Sequence, residues 1–87
     1  MSYTVKIAAA PTKFLERLRD ESLKRRIVKA LRALENEPRQ PGSLKMQGES
    51  NLYRLRVGDY RIVYQIQDAA LVVLVVQIGH RREIYRQ

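Results

Sequence analysis

The clearest alternation of apolar and polar positions in this chain runs from Tyr53 to Tyr64, YRLRVGDYRIVY. The two types exchange every second residue on both sides of Gly58-Asp59, which is the period of a strand with one buried face. Glycine first in a two-residue loop predicts a type II′ turn, which needs positive φ at that position and matches the twist of the flanking strands. Folded about that turn, Val57 faces Tyr60, Arg56 faces Arg61, Leu55 faces Ile62 and Tyr53 faces Tyr64. Opposed residues share a face of the sheet. One side then carries Tyr53, Leu55, Val57, Tyr60, Ile62 and Tyr64, a core surface. The other carries Arg54, Arg56 and Arg61, with Val63 and Gln65 beside them.

The remaining elements follow from period and punctuation. Tyr3 to Ile7 alternates and predicts a short first strand. Pro11 suits a first helical position, where its missing N–H is not needed. Phe14, Leu15 and Leu18 give one apolar face to a short helix ending near Arg19. Asp20 or Ser22 can cap a second helix, in which Leu23, Ile27, Ala30, Leu31 and Leu34 keep the spacing of a buried stripe. Pro38 stops it. The stretch from Pro38 to Asn51, rich in proline, glycine and small polar residues, predicts a loop that Leu44 and Met46 pin to the core. Asp68-Ala69 marks a second turn. Ala70 to Ile78 predicts a last strand, apolar on both faces (Leu71, Val73 and Val75 against Val72, Leu74 and Val76). That places it inside the sheet, with the N-terminal strand as its free neighbour. Gly79 is expected to end it, leaving HRREIYRQ as a loop or short helical turn. The expected fold class is α+β: one domain spanning 1–87, β-α-α-β-β-β, an antiparallel-rich four-stranded sheet with a helical hairpin on one face.

Composition changes the picture through charge. A hydrophobic fraction of 45% and a charged fraction of 30% are ordinary for a globular chain. The 17 Lys+Arg against 9 Asp+Glu are not, and the resulting +8 favours polyanionic partners, nucleic acid or an acidic protein. Lysines stop at Lys45, and all six later basic residues are arginine: Arg54, Arg56, Arg61, Arg81, Arg82 and Arg86. The planar arginine fork suits phosphate better than a lysine point charge. With no cysteine, disulfides and thiol nucleophiles are excluded, and a single histidine argues against a transition-metal site. No metal or cofactor is expected. MSYTVKIAAAP lacks the layout of a signal peptide, and the apolar run Ala69 to Val76 is far short of the ~20 residues of a membrane helix. The expectation is a cytoplasmic protein with no membrane partner.

Arg56 facing Arg61 can be weighed. Two unit charges about 6 Å apart repel by roughly 0.7 kcal/mol in water and roughly 3 kcal/mol at an effective dielectric near 20. On charge pairing alone, a solvated strand face accounts for the pair. Three arginines with no acid on that face favour an anion site. Lys24-Arg25-Arg26 reads as a solvated helix face, and Lys45 as either a surface lysine or a phosphate contact. His80, Arg81 and Tyr85 leave the last strand together. In a helical tail Arg81 and Tyr85 would be i, i+4 neighbours; otherwise they belong to a frayed end with Tyr85 packed on the core. Cleaving RNA without a metal needs a base for the 2′-OH, cations for the developing charge and a proton for the leaving oxygen. Arginines serve the second role but not the first. Only His80 has an ordinary pKa in the useful range, and Tyr85 would need considerable depression. The residues by themselves specify an anion-binding basic domain with an incomplete catalytic set.

LYRLRVGDYRIVYQI followed by VVQIGHRREIYR resembles the RelE/ParE toxin superfamily of toxin–antitoxin modules, specifically its RelE branch. The resemblance covers almost the whole chain, including the order of elements. It implies an mRNA interferase that enters the ribosomal A site and cuts the bound codon by 2′-OH attack, leaving a 2′,3′-cyclic phosphate. It implies a RelB-like antitoxin as partner, which covers the active groove and through which the pair contacts operator DNA. By position, Arg61 and Arg81 match the family's phosphate and transition-state arginines, and Tyr85 the tyrosine that stacks on or orients the nucleotide. Arg54 and Arg56 stand where the best-known members have lysines, one of them proposed as general base, so His80 or Tyr85 would have to contribute. Lys45 and Arg82 are the further candidate RNA contacts. Two other functions fit the same resemblance: a ParE-like gyrase inhibitor, which needs no arginine–tyrosine set, and a catalytically weak homologue acting as antitoxin-binding co-repressor.

Overall fold

In the computed structural model, which describes residues 2–48 and 51–80, the chain forms β1 (Thr4–Ile7), α1 (Ala9–Arg17), α2 (Glu21–Asn36), β2 (Leu44–Lys45), β3 (Leu52–Val57), β4 (Tyr60–Gln67) and β5 (Val72–His80). The strands make one sheet in the order β1-β5-β4-β3-β2. β1 runs parallel to β5, and every other neighbouring pair is antiparallel. The expected α+β architecture holds, with five strands in place of the four predicted. The additional one is β2, a two-residue strand within the segment expected to be loop, which pairs Leu44 with Arg54 and Lys45 with Tyr53. Two residues carry no readable period. Leu44 does not pin this segment to the core; it lies at the sheet edge, 55% exposed.

Helix α2 forms as its stripe predicts. Asp20 is the cap, accepting from the Leu23 N–H at 3.0 Å, so Ser22 falls inside the first turn. Leu23, Ile27, Leu31 and Leu34 are buried, and each such side chain contributes roughly 1.5–3 kcal/mol relative to exposure. Val57, Ile62, Tyr64, Ile66, Val73, Val75 and Ile78 meet them from the sheet. Helix α1 lies over β5, with Phe14, Leu15 and Leu18 against the same core. It ends at Arg17, earlier than expected, and Pro11 is its third residue rather than its first. Proline is tolerated there for the same reason, because no N–H of the first turn has an intrahelical acceptor.

Strand β5 departs most from expectation. It begins at Val72, after Leu71 takes a left-handed φ of +54°, and it continues through Gly79 to His80. Val63 pairs with Gln77 and Tyr64 with Val75, which leaves Val76 as an extra residue, a β-bulge. An inserted residue shifts the two-residue alternation by one. Val73 and Val75 therefore share the helix-covered side with Ile78 and His80, and Gly79 stands on the opposite side, across from Arg61.

A cluster with no sequence signature ties four segments together at the far end of the sheet. Tyr64 is fully buried, donates its hydroxyl to the Pro38 carbonyl at 2.8 Å, and stacks on Tyr53 with centroids 6.0 Å apart. Arg39 grips Asp68 with both terminal nitrogens, at 2.9 and 3.2 Å, and donates Nε–H to the Tyr53 hydroxyl at 3.2 Å. Tyr3 donates to the same carboxylate at 2.7 Å. The guanidinium holds the Asp68 carboxyl below its usual range. Both partners are about half exposed, so the ion pair itself stabilises by roughly 0–1 kcal/mol.

Two phenols here set an alkaline limit. Burial pushes Tyr64 up, and the hydrogen bond to Asp68 pushes Tyr3 up. Each therefore ionises first in the unfolded chain, near pH ~10, so its contribution is constant below that and lost as pH rises through the folded value. The urea midpoint is expected to fall as the pH rises above about 10. In Tyr64→Phe the fall should be smaller; equal slopes in both proteins would rule out Tyr64 as the source.

Candidate nucleic-acid interface

The predicted hairpin is present in every pair. Gly58 has φ +60° and Asp59 is not among the positive-φ residues, as a type II′ turn requires. Val57 pairs with Tyr60, Arg56 with Arg61, Leu55 with Ile62, Arg54 with Val63 and Tyr53 with Tyr64. The helices cover the tyrosine side. Arg54, Arg56 and Arg61 project together from the other, joined there by Leu44 through its pairing with Arg54.

Backbone carbonyls near the turn hold the opposed arginines. Arg56 is exposed and donates Nε–H to the Gly58 carbonyl at 2.8 Å. Arg61 is 7% exposed and donates from Nη1 to the Tyr60 carbonyl at 3.3 Å. Its partner on β5 is Gly79, which puts no side chain on that face. Arg54 is half-buried beside them. The arrangement is neither a fully wet face nor a closed pocket: one guanidinium is sheltered, one half-sheltered and one open. Fixed, partly desolvated guanidinium groups suit a phosphodiester or the negative charge that develops during its cleavage.

Other candidates are placed elsewhere. His80 pairs with Tyr60, and the two rings meet edge-on at 5.4 Å and 81°. Tyr60 in turn packs against Phe14 at 5.8 Å. The histidine therefore ends an aromatic row on the helix-covered side, across the sheet from Arg61, and the bulge at Val76 is what puts it there. Lys45 pairs with Tyr53 at the sheet edge and lines a cleft of about 380 Å³ there together with Leu44 and Arg54. Arg81, Arg82 and Tyr85 lie outside the described residues.

One residue read as plain helix surface comes close to the hairpin. Arg26 lies over Gly58, its Nη2 3.1 Å from where a side-chain carbon on that glycine would stand. The signal was present in the spacing. Arg26 is three residues after Leu23 and four before Ala30, on the flank of the buried stripe and within reach of whatever that stripe covers.

Comparison with known proteins first gives the class. Residues 5–85 match the model for the ParE toxin of the type II toxin–antitoxin system parDE. The chain belongs to the RelE/ParE superfamily and is a toxin of the type II toxin–antitoxin class. It is similar to the toxin RelG of Mycobacterium tuberculosis, with 29% identity over the full length of both chains (100% of each). To a putative RelE-like toxin protein of Escherichia coli it is 32% identical, across 93% of this chain and 85% of that one. Its fold superposes on the archaeal RelE of the RelE–RelB complex from Pyrococcus horikoshii with a TM-score of 0.76 and 31% identity, over 93% of this chain and 97% of that chain. No helix among the described residues is long and apolar enough to cross a membrane.

Proposed function

We propose that this toxin is an mRNA endonuclease of the RelE kind, cutting codons in the ribosomal A site by 2′-OH attack on the adjacent phosphate and leaving a 2′,3′-cyclic phosphate. The observation that carries the reading is the convergence of Arg54, Arg56 and Arg61 on the sheet face that the helices leave uncovered. Arg61, sheltered and tied to a carbonyl, stabilises the charge on the phosphate oxygens; Arg54 and Arg56 bind and orient the strand. Arg81 and Tyr85 complete the site as phosphate contact and stacking partner, with Arg82 and Lys45 as outer RNA contacts. The ring of His80 faces Tyr60, so it is a poor base for a nucleotide on the arginine face. The arginines supply electrostatic stabilisation, and deprotonation of the hydroxyl falls to Tyr85 or to groups of the ribosome. A RelB-like antitoxin is the partner, as in the archaeal RelE–RelB complex; operator DNA is reached only through that pair, and the site of action is the cytoplasm.

The ParE name of the matching family model favours a second reading, a gyrase-directed toxin on the same fold. Induced expression of wild type and Arg81→Ala separates them. The nuclease reading expects new mRNA 5′ ends inside translated codons with wild type and their loss in the variant. Intact mRNA in arrested cells, together with a DNA-damage response, would reject it in favour of the gyrase reading. Growth unaffected by either protein would indicate a co-repressor.

A further inference from the structure

The turn that joins β3 to β4 has a second pair of arginines on its helix side, Arg26 and Arg56. A cleft of about 320 Å³ there is lined by Arg26 and Arg56, by Asp20 and Asp59, and by Ser22, Leu23, Gly58 and Tyr60. Two guanidinium groups meet at one residue. Arg56 donates to the Gly58 carbonyl at 2.8 Å, and Arg26 lies with Nη2 and Nη1 at 3.1 and 3.5 Å from the side-chain position that Gly58 leaves empty. Gly58 thus serves twice: its positive φ makes the turn, and its missing carbon admits Arg26. The two aspartates balance the pair in formal charge without gripping either guanidinium. Asp20 is engaged in capping α2, and among the described residues neither Asp20 nor Asp59 is ion-paired with Arg26 or Arg56. Neither guanidinium is spent on a carboxylate, so their remaining N–H groups can turn to an anion in the cleft.

We propose that this cleft is a second phosphodiester site, in which Arg26 and Arg56 grip the backbone of an RNA strand as it leaves the arginine face over the hairpin turn. The proposal rests on the nuclease reading and extends it. Arg56 belongs to both surfaces: it pairs with Arg61 across the hairpin and lines the cleft with Arg26. From Arg56 to Gly58 the strand advances about 7 Å, close to two nucleotides of a stacked single strand. The site therefore engages phosphates beyond the scissile one, and it reads backbone, not base.

The test uses the purified toxin and 2′-O-methyl RNA, which cannot be cut, as a dinucleotide and as a hexanucleotide across a salt series. Arg26→Gln should weaken hexanucleotide binding about tenfold and reduce the salt slope by about 0.7, with dinucleotide binding unchanged. Arg25→Gln, which removes the same charge outside the cleft, should have a clearly smaller effect. The second site is overturned if Arg26→Gln leaves the hexanucleotide unaffected, if Arg25→Gln costs as much, or if the dinucleotide loses equally. Arg61→Ala distinguishes the two levels. If it leaves dinucleotide binding intact, the arginine-face reading fails. If it abolishes that binding while Arg26→Gln changes nothing, only the second site fails.

Discussion

Replacing Arg61 by alanine is expected to slow codon cleavage on the ribosome by about 10²–10³, the usual cost of removing one preorganised donor from a developing anion. The side chain is sheltered, opposed by Gly79 and tied to the Tyr60 carbonyl, so it needs no reorganisation when charge builds on a phosphate. Because Arg61 is also buried, the alanine variant loses packing, and a fall in activity by itself would not separate chemistry from folding. Arg61→Lys does. Lysine keeps the stem and the charge but loses the planar fork, so stability should stay near wild type while the rate falls by about tenfold or more. Cleavage within threefold of wild type in both variants, measured on programmed ribosomes, would remove Arg61 from the mechanism.

The largest stability effect is expected at Tyr64. Its ring is fully buried between Tyr53 and the core, and its hydroxyl satisfies the Pro38 carbonyl. Tyr64→Ala should cost about 3–5 kcal/mol, a large share of the roughly 5–15 kcal/mol available to such a domain. Tyr64→Phe keeps the ring and should cost about 1–2 kcal/mol for the carbonyl left without its donor. Urea unfolding gives both values. A phenylalanine variant as damaged as the alanine one would mean that the hydrogen bond, and not the ring, holds this end of the sheet.

The strand pairing around Gly58 was legible in full, because a glycine-led two-residue turn fixes register and the alternation fixes the face. The helical stripe was equally plain, since Leu23, Ile27, Leu31 and Leu34 repeat over several turns. What could not be read was of two kinds. Strand β2 is too short to show a period. The Arg39–Asp68–Tyr3 cluster joins residues as much as 65 positions apart, and nothing local announces it. The bulge in β5 is the more instructive case. Val72 to Val76 is apolar at every position, so either phase satisfies the core, and the run gives no hint of where a residue is added. Simple alternation from Val73 and Val75 would have placed His80 beside the arginines. The arginine face was therefore predicted in the right residues, and its expected histidine belongs to the other side.

That one additional valine decides which chemical group accompanies the guanidiniums. With it, the residue across from Arg61 is a glycine, which has no proton to gain or lose; had the Tyr64–Val75 register continued unbroken, Ile78 would stand there and His80 would project from the same side as the arginines. Arginine stays cationic far above physiological pH. The arginine face thus keeps its charge at every physiological pH, and no shift in acidity near neutrality can switch it off.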